Sequence, residues 1–318
     1  MTVARGAFLG AGLAALAAPA FAADLPLTTI RFGSTPDEQA STALWGVQSG
    51  LFGRTGLDVQ VQRLNSGGAV AAAVAGGSLD VGLGSVFSLI VAHLKGIPFV
   101  LESVSATSND ALPNNGFAVA KDSSITTPAQ LNGKTIATPA LSDLFTLATT
   151  GWIDQNGGDA HTVSFVELPM PLQVNAITSG RVAGAFLIDP FLQQALDGGL
   201  VRVLGRPYST IAPHFGVTYY FCLRDYAAAH PDALVRFRAD IATGVAYART
   251  HWNDMVPIIA GYTGMKPDVV RKMPFLTGSG IAPEMLQPVI DFAARYQLIP
   301  KGFPATEMID PGALSLQR

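Results

Sequence analysis

The sequence contains few of the groups that form covalent or ionic links. Cys222 is the only cysteine among 318 residues, so the chain has no intrachain disulfide and no cysteine for lipidation at a leader junction. We predict that Cys222 is a small, buried, apolar side chain. Charged residues make up only 14% of the chain and the formal net charge is −3, which excludes the strongly basic surface of nucleic-acid-binding proteins and polybasic membrane patches. We therefore expect no nucleic acid as a partner.

Long apolar runs are also missing once the first residues are set aside. Residues 1–22 carry an early arginine, an alanine-rich apolar stretch and the ending Ala20-Phe21-Ala22, a pattern typical of a cleaved secretory leader. Beyond them, no stretch approaches the roughly 20 apolar residues of a membrane-spanning helix. We expect a mature chain that begins near Ala23, is exported to the periplasm and does not insert into the membrane after leader removal.

The short motifs of several enzyme classes are absent. No Gly-x-Ser-x-Gly, Ser-x-x-Lys or His-Glu-x-x-His pattern occurs, and the five histidines lack the spacing of metal ligands. Gly133-Lys134-Thr135 resembles the end of a phosphate-binding loop, but Pro128 stands where that loop has its first glycine and a predicted strand follows. We interpret this segment as a helix-to-strand turn and predict no catalytic residue, no cofactor and no metal.

Two glycine-containing turns end consecutive predicted strands and lead into helices. Residues 58–64 alternate like a strand, Ser66-Gly67-Gly68 follows, and residues 69–75 form a short helix of small residues. The next strand ends at Gly84-Ser85, and Ser34-Thr35 follows the first strand in the same way. A helix N-terminus presents unpaired N–H groups, and glycine lets a ligand approach the backbone. These turns indicate ligand contacts, although each is also typical of an ordinary helix cap.

Strands and helices alternate along the chain, which predicts an α/β fold. Alternation with short turns is typical of mostly parallel sheets flanked by helices, where ligands gather at the carboxyl ends of the strands. A second series begins near residue 117, and its Gly180-Arg181-Val182-Ala183-Gly184 echoes Gly77-Ser78-Leu79-Asp80-Val81-Gly82. The echo predicts two similar lobes, and two chain crossings, near residues 109–117 and 214–220, predict a hinge.

The second lobe supplies candidate contacts for the opposite wall of a cleft. Thr138 and Ser142 lie in a strand-to-helix turn equivalent to those of the first lobe. Asp189, before Pro190, is either an ordinary helix cap or a carboxylate that binds an amine or hydroxyl group. An enzyme in this cleft would need an unfamiliar carboxylate pair, for example Asp110 and Asp189.

The predicted crossings add Asn109 and Tyr219 to the candidates. No Lys or Arg occurs inside the turns, although Arg63 lies close to one of them. A sulfonate, a carboxylate and a polar heteroaromatic ligand all remain open on this evidence. The candidate ligand-binding residues are Ser34, Thr35, Ser66, Gly67, Gly68, Gly84, Ser85, Asn109, Thr138, Ser142, Asp189 and Tyr219.

An ordered set of short segments resembles one family across nearly the whole mature chain. The set comprises Ile30-Arg31-Phe32-Gly33, Gln48-Ser49-Gly50-Leu51-Phe52, Gly56-Leu57-Asp58-Val59, Ser66-Gly67-Gly68, Gly77-Ser78-Leu79-Asp80-Val81-Gly82, Gly96-Ile97-Pro98, Leu131-Asn132-Gly133-Lys134-Thr135-Ile136-Ala137, Ser179-Gly180-Arg181-Val182-Ala183-Gly184-Ala185 and Pro190-Phe191. It resembles the periplasmic substrate-binding proteins of ABC importers, in the group for nitrate, sulfonate, taurine and the pyrimidine precursor of thiamine.

The resemblance implies a two-lobed type II periplasmic-binding fold that closes on a small ligand. Lobe 1 would comprise residues 23–112 and 218–318, and lobe 2 residues 113–217. The implied function is capture of a sulfonate, carboxylate or pyrimidine-like molecule by a monomer and its delivery to the permease subunits of an ABC transporter. The alternatives are a cleft enzyme of the thiamine-pyrimidine-synthase-like superfamily, whose cysteine-rich signature this chain lacks, and a ligand-sensing partner of a membrane receptor.

Overall fold

The computed structural model describes residues 27–141 and 143–314, and within these ranges ten strands form two sheets. The predicted leader and Ser142 therefore lie outside the described residues. The strands are β1 (Thr28–Ser34), β2 (Leu57–Arg63), β3 (Val81–Ser85), β4 (Phe99–Asn109), β5 (Asn115–Ala120), β6 (Thr135–Thr138), β7 (Ser164–Glu167), β8 (Ala185–Ile188), β9 (Val201–Gly205) and β10 (His214–Leu223).

Helices connect most of these strands and make up most of the described chain after β10. They are α1 (Ser41–Gln48), α2 (Leu51–Arg54), α3 (Gly67–Ala75), α4 (Val86–Leu94), α5 (Leu144–Gln155), α6 (Met170–Thr178), α7 (Phe191–Asp197), α8 (Arg224–Ala229), α9 (Pro231–Thr250), α10 (Trp252–Thr263), α11 (Pro267–Arg271), α12 (Pro283–Arg295) and α13 (Pro311–Leu314). In the part of the chain that the structure describes, no helix is long and apolar enough to cross a bilayer.

The two sheets have matching strand orders, which confirms the predicted repetition. The first sheet is ordered β2-β1-β3-β10-β4 and the second β7-β6-β8-β5-β9. In each sheet four strands run in the same direction, while β10 and β5 run antiparallel to both of their neighbours. The sheets are thus mixed, with a single reversed strand in each, and that strand is the one that enters directly after the chain crosses from the other sheet.

The crossings fall close to the predicted places. The chain leaves β4 at Asn109 and enters β5 at Asn115, and it leaves β9 at Gly205 and enters β10 at His214. One predicted lobe boundary, between residues 112 and 113, falls in the first connection. The other, between residues 217 and 218, falls inside β10. The exact extent of each lobe stays a prediction.

Polar residues at strand ends cap the helices that follow. The Ser66 hydroxyl accepts a hydrogen bond from the Ala69 N–H at 3.2 Å, and α3 begins beside it at Gly67. The Asp143 carboxylate accepts one from the Thr146 N–H at 2.8 Å and caps α5. Such caps pair N–H groups that the first helical turn leaves free. They fix the start of each helix at the carboxyl edge of its sheet.

The chain after β10 packs mainly on the first sheet, so that sheet carries the longer helices. Helix α9 contacts β2, β4 and α1, and α12 contacts β10 and α4. Cys222 lies in β10 and is fully buried, as predicted. Its thiol is not in a purely apolar environment, because it donates a hydrogen bond to the carboxylate of Glu102 at 3.2 Å.

Candidate functional site

A cavity of about 620 Å³ lies between the two sheets, at the ends of their parallel strands. Its walls come from the turns after β1, β3, β6 and β8, from the start of α3, from the strands at both crossings, and from the helical part of the chain around residues 252–277. Ligand pockets for small molecules have volumes of roughly 300–1,000 Å³. The cavity is therefore large enough for an organic molecule.

The turn after β1 forms a polar part of the first wall. The Asp37 carboxylate accepts hydrogen bonds from the Thr35 hydroxyl at 2.5 Å and from the Gln39 N–H at 3.1 Å, and it caps the short helix Glu38–Ala40. The side-chain oxygen of Gln39 accepts a hydrogen bond from the Thr218 hydroxyl at 2.7 Å. These contacts fix the turn, so Glu38 is presented to the cavity from a rigid backbone.

Glycines keep another part of the first wall open. Gly67 lines the cavity at the first position of α3, and a Cβ atom placed there would meet no atom within 4 Å. Gly84 and Ser85 line the cavity at the end of β3. Gly84 also packs against the ring of Phe221, which lies 3.0 Å from the position of a Cβ atom. Gly67 thus leaves room for a ligand, whereas Gly84 is also required by packing.

The second wall consists of a carboxylate cap, an aspartate after β8 and aromatic rings. Asp143 lines the cavity while it caps α5. Asp189 lines it directly after β8 and accepts a hydrogen bond from the Gln193 N–H at 3.2 Å. Phe145 and Tyr208 also line the cavity, with ring centroids 6.0 Å apart. The wall therefore combines acceptor groups with apolar surface.

Four carboxylates line the cavity, two from each side. Asp37 and Glu38 follow β1, and Asp143 and Asp189 follow β6 and β8. Among the residues described, no Lys, Arg or His lines it. Two cationic residues lie outside the lining but near Asp189. Lys272 shares a neighbouring groove with Asp189, and the guanidinium of Arg206 donates to the carbonyl of Asn115 at 2.6 Å.

Enclosure raises the pKa values of these carboxyl groups. Burial, followed by the negative charges of Asp37 and of Asp189 across the cleft, raises the pKa of Glu38 to about 7. Burial raises the pKa of Asp37 and of Asp143 to about 6, against the hydrogen bonds that favour their ionised forms. The pKa of Asp189 is also raised by burial, which the charge of Arg206 opposes. Removing these groups from water disfavours their charged forms.

The structure brings some of the predicted site residues together and separates others. The candidates that line the cavity are Thr35, Gly67, Gly84, Ser85 and Asp189. The candidates that lie outside its lining are Ser34, Ser66, Gly68, Asn109, Thr138 and Tyr219. Ser142 lies outside the described residues. The role of each as a ligand contact stays a prediction.

The candidates outside the lining are engaged in contacts within the protein. The buried Ser34 hydroxyl pairs with the Tyr262 hydroxyl at 2.7 Å, and the Thr138 hydroxyl with that of Thr146 at 2.8 Å. The Tyr219 hydroxyl donates to the Met285 carbonyl at 3.2 Å. Beside Tyr219, Thr218 lines the cavity instead. Some of the predicted turns thus contribute residues to the cavity lining, whereas in β10 the lining residue is the neighbour of the predicted one.

Asn109 and Asp110 also lie away from the cavity. Asn109 accepts a hydrogen bond from the Ala111 N–H at 2.9 Å and lines a separate groove with His214 and Arg249. The exposed Asp110 accepts one from the Ser209 hydroxyl at 2.7 Å. The carboxylate pair of Asp110 and Asp189 considered for an enzyme is therefore not brought together in this cavity.

Sequence reasoning missed the carboxylates beside the predicted turns. Asp37 and Asp143 lie two or more residues beyond the end of a strand, and a capping pattern is the signal that could have found them. Arg63 does not line the cavity. Its guanidinium instead lies over the ring of Tyr262, 5.2 Å from the ring centre. The lining residues Trp252 and Met265 come from the helical part of the chain, and no local signal in the sequence indicates their position.

A family model gives the first comparison with known proteins. A model described as NMT1/THI5 like matches residues 39–254, which is more than half of the chain. The chain belongs to the NMT1/THI5-like family. No curated protein matches it in sequence. This family match and the structural comparisons that follow confirm the resemblance to the substrate-binding group of ABC importers.

Solved structures with the same fold cover most of this NMT1/THI5-like chain. The periplasmic aliphatic sulphonate binding protein SsuA from Escherichia coli is 21% identical at a TM-score of 0.75, over 89% of this chain and 92% of that one. The alkanesulfonate-binding protein SsuA from Xanthomonas axonopodis pv. citri, bound to MOPS, is 16% identical at 0.72, over 90% and 99%. The periplasmic nitrate-binding protein NrtA from Synechocystis PCC 6803 is 12% identical at 0.74, over 92% and 88%.

Proposed function

We propose that this protein is an extracytoplasmic solute-binding protein that captures a small polar organic molecule between two lobes and delivers it to an ABC-type permease. The observation that carries the proposal is the cavity of about 620 Å³, whose polar groups come from strand ends of both sheets. Ligands of open α/β sheets gather at such strand ends. The similar proteins of known structure include sulphonate-binding and nitrate-binding periplasmic proteins, which supports a periplasmic location and a transport role.

The mechanism follows from the distribution of contacts over two bodies joined by two connections. A solute that contacts Glu38 and Gly67 on one side and Asp143 and Asp189 on the other gains its full set of contacts only when both walls are close. Its differential affinity for the closed form shifts the population toward that form. A permease that recognises the closed form then distinguishes the loaded protein from the empty one.

Ligand-induced stabilisation and compaction provide the test. Purified mature protein would be screened by thermal shift against nitrate, sulfonates, carboxylates, pyrimidines and amines, and each hit examined by small-angle scattering. We expect at least one class to raise the melting temperature and reduce the radius of gyration. A ligand at one hundred times its dissociation constant stabilises the folded state by about 2.7 kcal/mol.

The variant Gly67→Phe locates the effect in the cleft. A benzyl side chain at this position fills cavity space, because nothing lies within 4 Å of the Cβ position. We expect it to abolish the ligand-induced shift and to leave the melting temperature of the empty protein almost unchanged. Gly53→Phe is the matched control, since Gly53 is exposed, equally open and outside the cavity lining.

The same screen distinguishes a solute-binding protein from an enzyme. Turnover of a compound that does not stabilise the protein would favour an enzyme instead.

A further inference from the structure

The charges on the cavity walls identify the class of solute. This inference rests on the proposed function, because it concerns the ligand of the same cleft. We propose that the cleft binds a solute with a cationic nitrogen group, such as a protonated amine, carried on an apolar or aromatic body, and that it rejects anions. The group would lie between carboxylates of both lobes.

The first argument is the balance of charge. Asp37, Glu38, Asp143 and Asp189 line the cavity, and no cationic side chain is among the described residues that line it. The positive features in the wall are helix starts, each of which carries roughly half an elementary charge at most. The helices that begin at or directly after a lining residue are α3, α4, α5, α6, α7 and α10. Four ionised carboxylates exceed the sum of these partial charges, and Asp143 itself caps one of the helix starts. An anion entering this enclosed space would add to the negative charge, whereas a cation would compensate it.

The second argument is the placement of the carboxylates on both walls. Glu38 belongs to one side of the cleft and Asp189 to the other, and the charge of Asp189 already acts on Glu38. Closure brings like charges closer, which costs free energy unless a positive group lies between them or a proton is taken up. A cationic solute would therefore favour closure directly, and an anionic solute would oppose it.

The third argument is the remaining acceptor capacity. An ionised carboxylate has about four lone-pair sites. The hydrogen bonds found for the Asp143 and Asp189 side chains come mainly from backbone N–H groups, of Thr146 at 2.8 Å and of Gln193 at 3.2 Å. Both carboxylates thus keep sites for the donors of an ammonium group, which carries donors and no acceptor.

The rest of the lining fits the body of such a solute. Aromatic and thioether side chains surround the carboxylates, and cations are attracted to aromatic faces. Apolar surface of this kind accommodates a hydrocarbon or aromatic ring. These lining residues are Phe145, Phe191, Tyr208, Trp252, Met265 and Met273.

Probes with similar apolar bodies but different charges test the proposal. Titration calorimetry with mature wild-type protein would compare benzylamine, benzyl alcohol and benzenesulfonate, and in parallel hexylamine, hexanol and hexanesulfonate. At pH 8 we expect the amines to bind at least tenfold more tightly than the alcohols and the sulfonates not to bind. Because Asp37, Glu38 and Asp143 have pKa values of about 6 to 7, we expect amine affinity to fall at least tenfold from pH 8 to pH 5.

Variants assign the effect to the carboxylates. Asp189→Asn and Glu38→Gln keep the side-chain shape, and each should weaken amine binding at least tenfold at pH 8. Asp122→Asn removes an exposed carboxylate outside the cavity lining and should leave it unchanged. Gly67→Arg places a cation on the wall, and we expect it to weaken amine binding and to create sulfonate binding.

The outcomes separate this inference from the proposed function. Sulfonates that bind the wild type more tightly than amines, with compaction of the protein, would overturn the cationic ligand and uphold solute binding. Amine binding that Asp189→Asn and Glu38→Gln leave unchanged would overturn the role of the carboxylates. No binding of any compound in either series, and no hit in the wider screen, would contradict solute binding itself.

Discussion

Glu38 occupies an unusual position for an acidic residue. It follows the capping residue Asp37 in a short helix at the cleft wall, and burial and neighbouring carboxylates raise its pKa to about 7. In an unfolded chain the pKa of a glutamate is about 4.3. Between these values the folded protein holds a proton that the unfolded chain has released, so stability falls as the pH rises from about 4.5 to about 7.

We therefore predict that Glu38→Gln flattens the dependence of stability on pH. Above pH 7 the empty variant should be more stable than the wild type by roughly 1–3 kcal/mol, because one unit of pKa shift corresponds to about 1.4 kcal/mol. At pH 4 the two proteins should be nearly equal. Urea unfolding at a series of pH values measures this. Glu167→Gln, at an exposed strand position, is the control, and an equal effect there would contradict the explanation.

At the residue scale, the sequence predicted the turns better than the side chains within them. Ser66-Gly67-Gly68 and Gly84-Ser85 stand where strand and helix periodicities meet, and Gly67, Gly84 and Ser85 line the cavity. Tyr219 and Thr218 show that local sequence patterns do not indicate which of two neighbouring side chains lines the cavity. The pairing of β10 with β4 shifts register on both sides of Thr218, and such irregularities decide which of two neighbouring side chains faces the cleft.

At the scale of elements, a buried charge cluster joins three separate parts of the chain. Arg238 of α9 donates hydrogen bonds to Glu102 of β4 and, at 3.2 Å, to Asp310 before α13. Glu102 is fully buried, and Arg238 is 7% exposed. A buried charge that loses its partner is strongly destabilising, whereas an apolar replacement of the whole group is often tolerated.

We predict that Arg238→Met lowers the free energy of unfolding by about 3–5 kcal/mol, because it leaves the Glu102 carboxylate buried without its cation. The double variant Glu102→Gln with Arg238→Met should recover part of this loss, since neighbouring sites are not additive. Urea unfolding of both variants at pH 8 measures the difference. A loss below 1 kcal/mol in the single variant, or no recovery in the double one, would contradict this account.

Strand and helix periodicity predicted most elements but overlooked the strand β9. It has only five residues, and it carries Arg202, whose guanidinium donates to the carbonyls of Ser123 and Ile125. A charged residue weakens the apolar signal of a strand this short. Its place in the sheet is fixed by pairing with β5, which lies about 80 positions earlier in the chain.

At the scale of the whole molecule, the two halves also meet outside the cleft. Gly151 of α5 lies against α12, a helix that packs on the first sheet. A Cβ atom at Gly151 would come within 2.1 Å of the ring of Phe292, and the Tyr296 hydroxyl donates to the Gly151 carbonyl at 3.4 Å. The absence of a side chain at this position therefore sets how closely the two halves approach.

We predict that Gly151→Leu separates α5 from α12, increases the radius of gyration of the empty protein and weakens ligand binding. Overpacking of this kind also costs about 1–3 kcal/mol of stability. Small-angle scattering and thermal unfolding measure the two effects. Gly261→Leu is the matched control, since Gly261 is also helical but has nothing within 4 Å of its Cβ position. An unchanged radius of gyration in Gly151→Leu would contradict a spacing role.

The strand orders also bear on how the chain folds as it is synthesised. The second sheet uses one continuous stretch of chain, from β5 to β9, so all of its partners are present once residue 205 has been made. The first sheet lacks β10 until residue 223, and β10 is the neighbour that joins β4 to β3. Pairing that spans more than one hundred residues is slow. A growing chain would therefore complete its second sheet before its first. Until β10 has been made, one edge of β4 would stay unpaired, because β10 is the strand that joins β4 to the rest of its sheet.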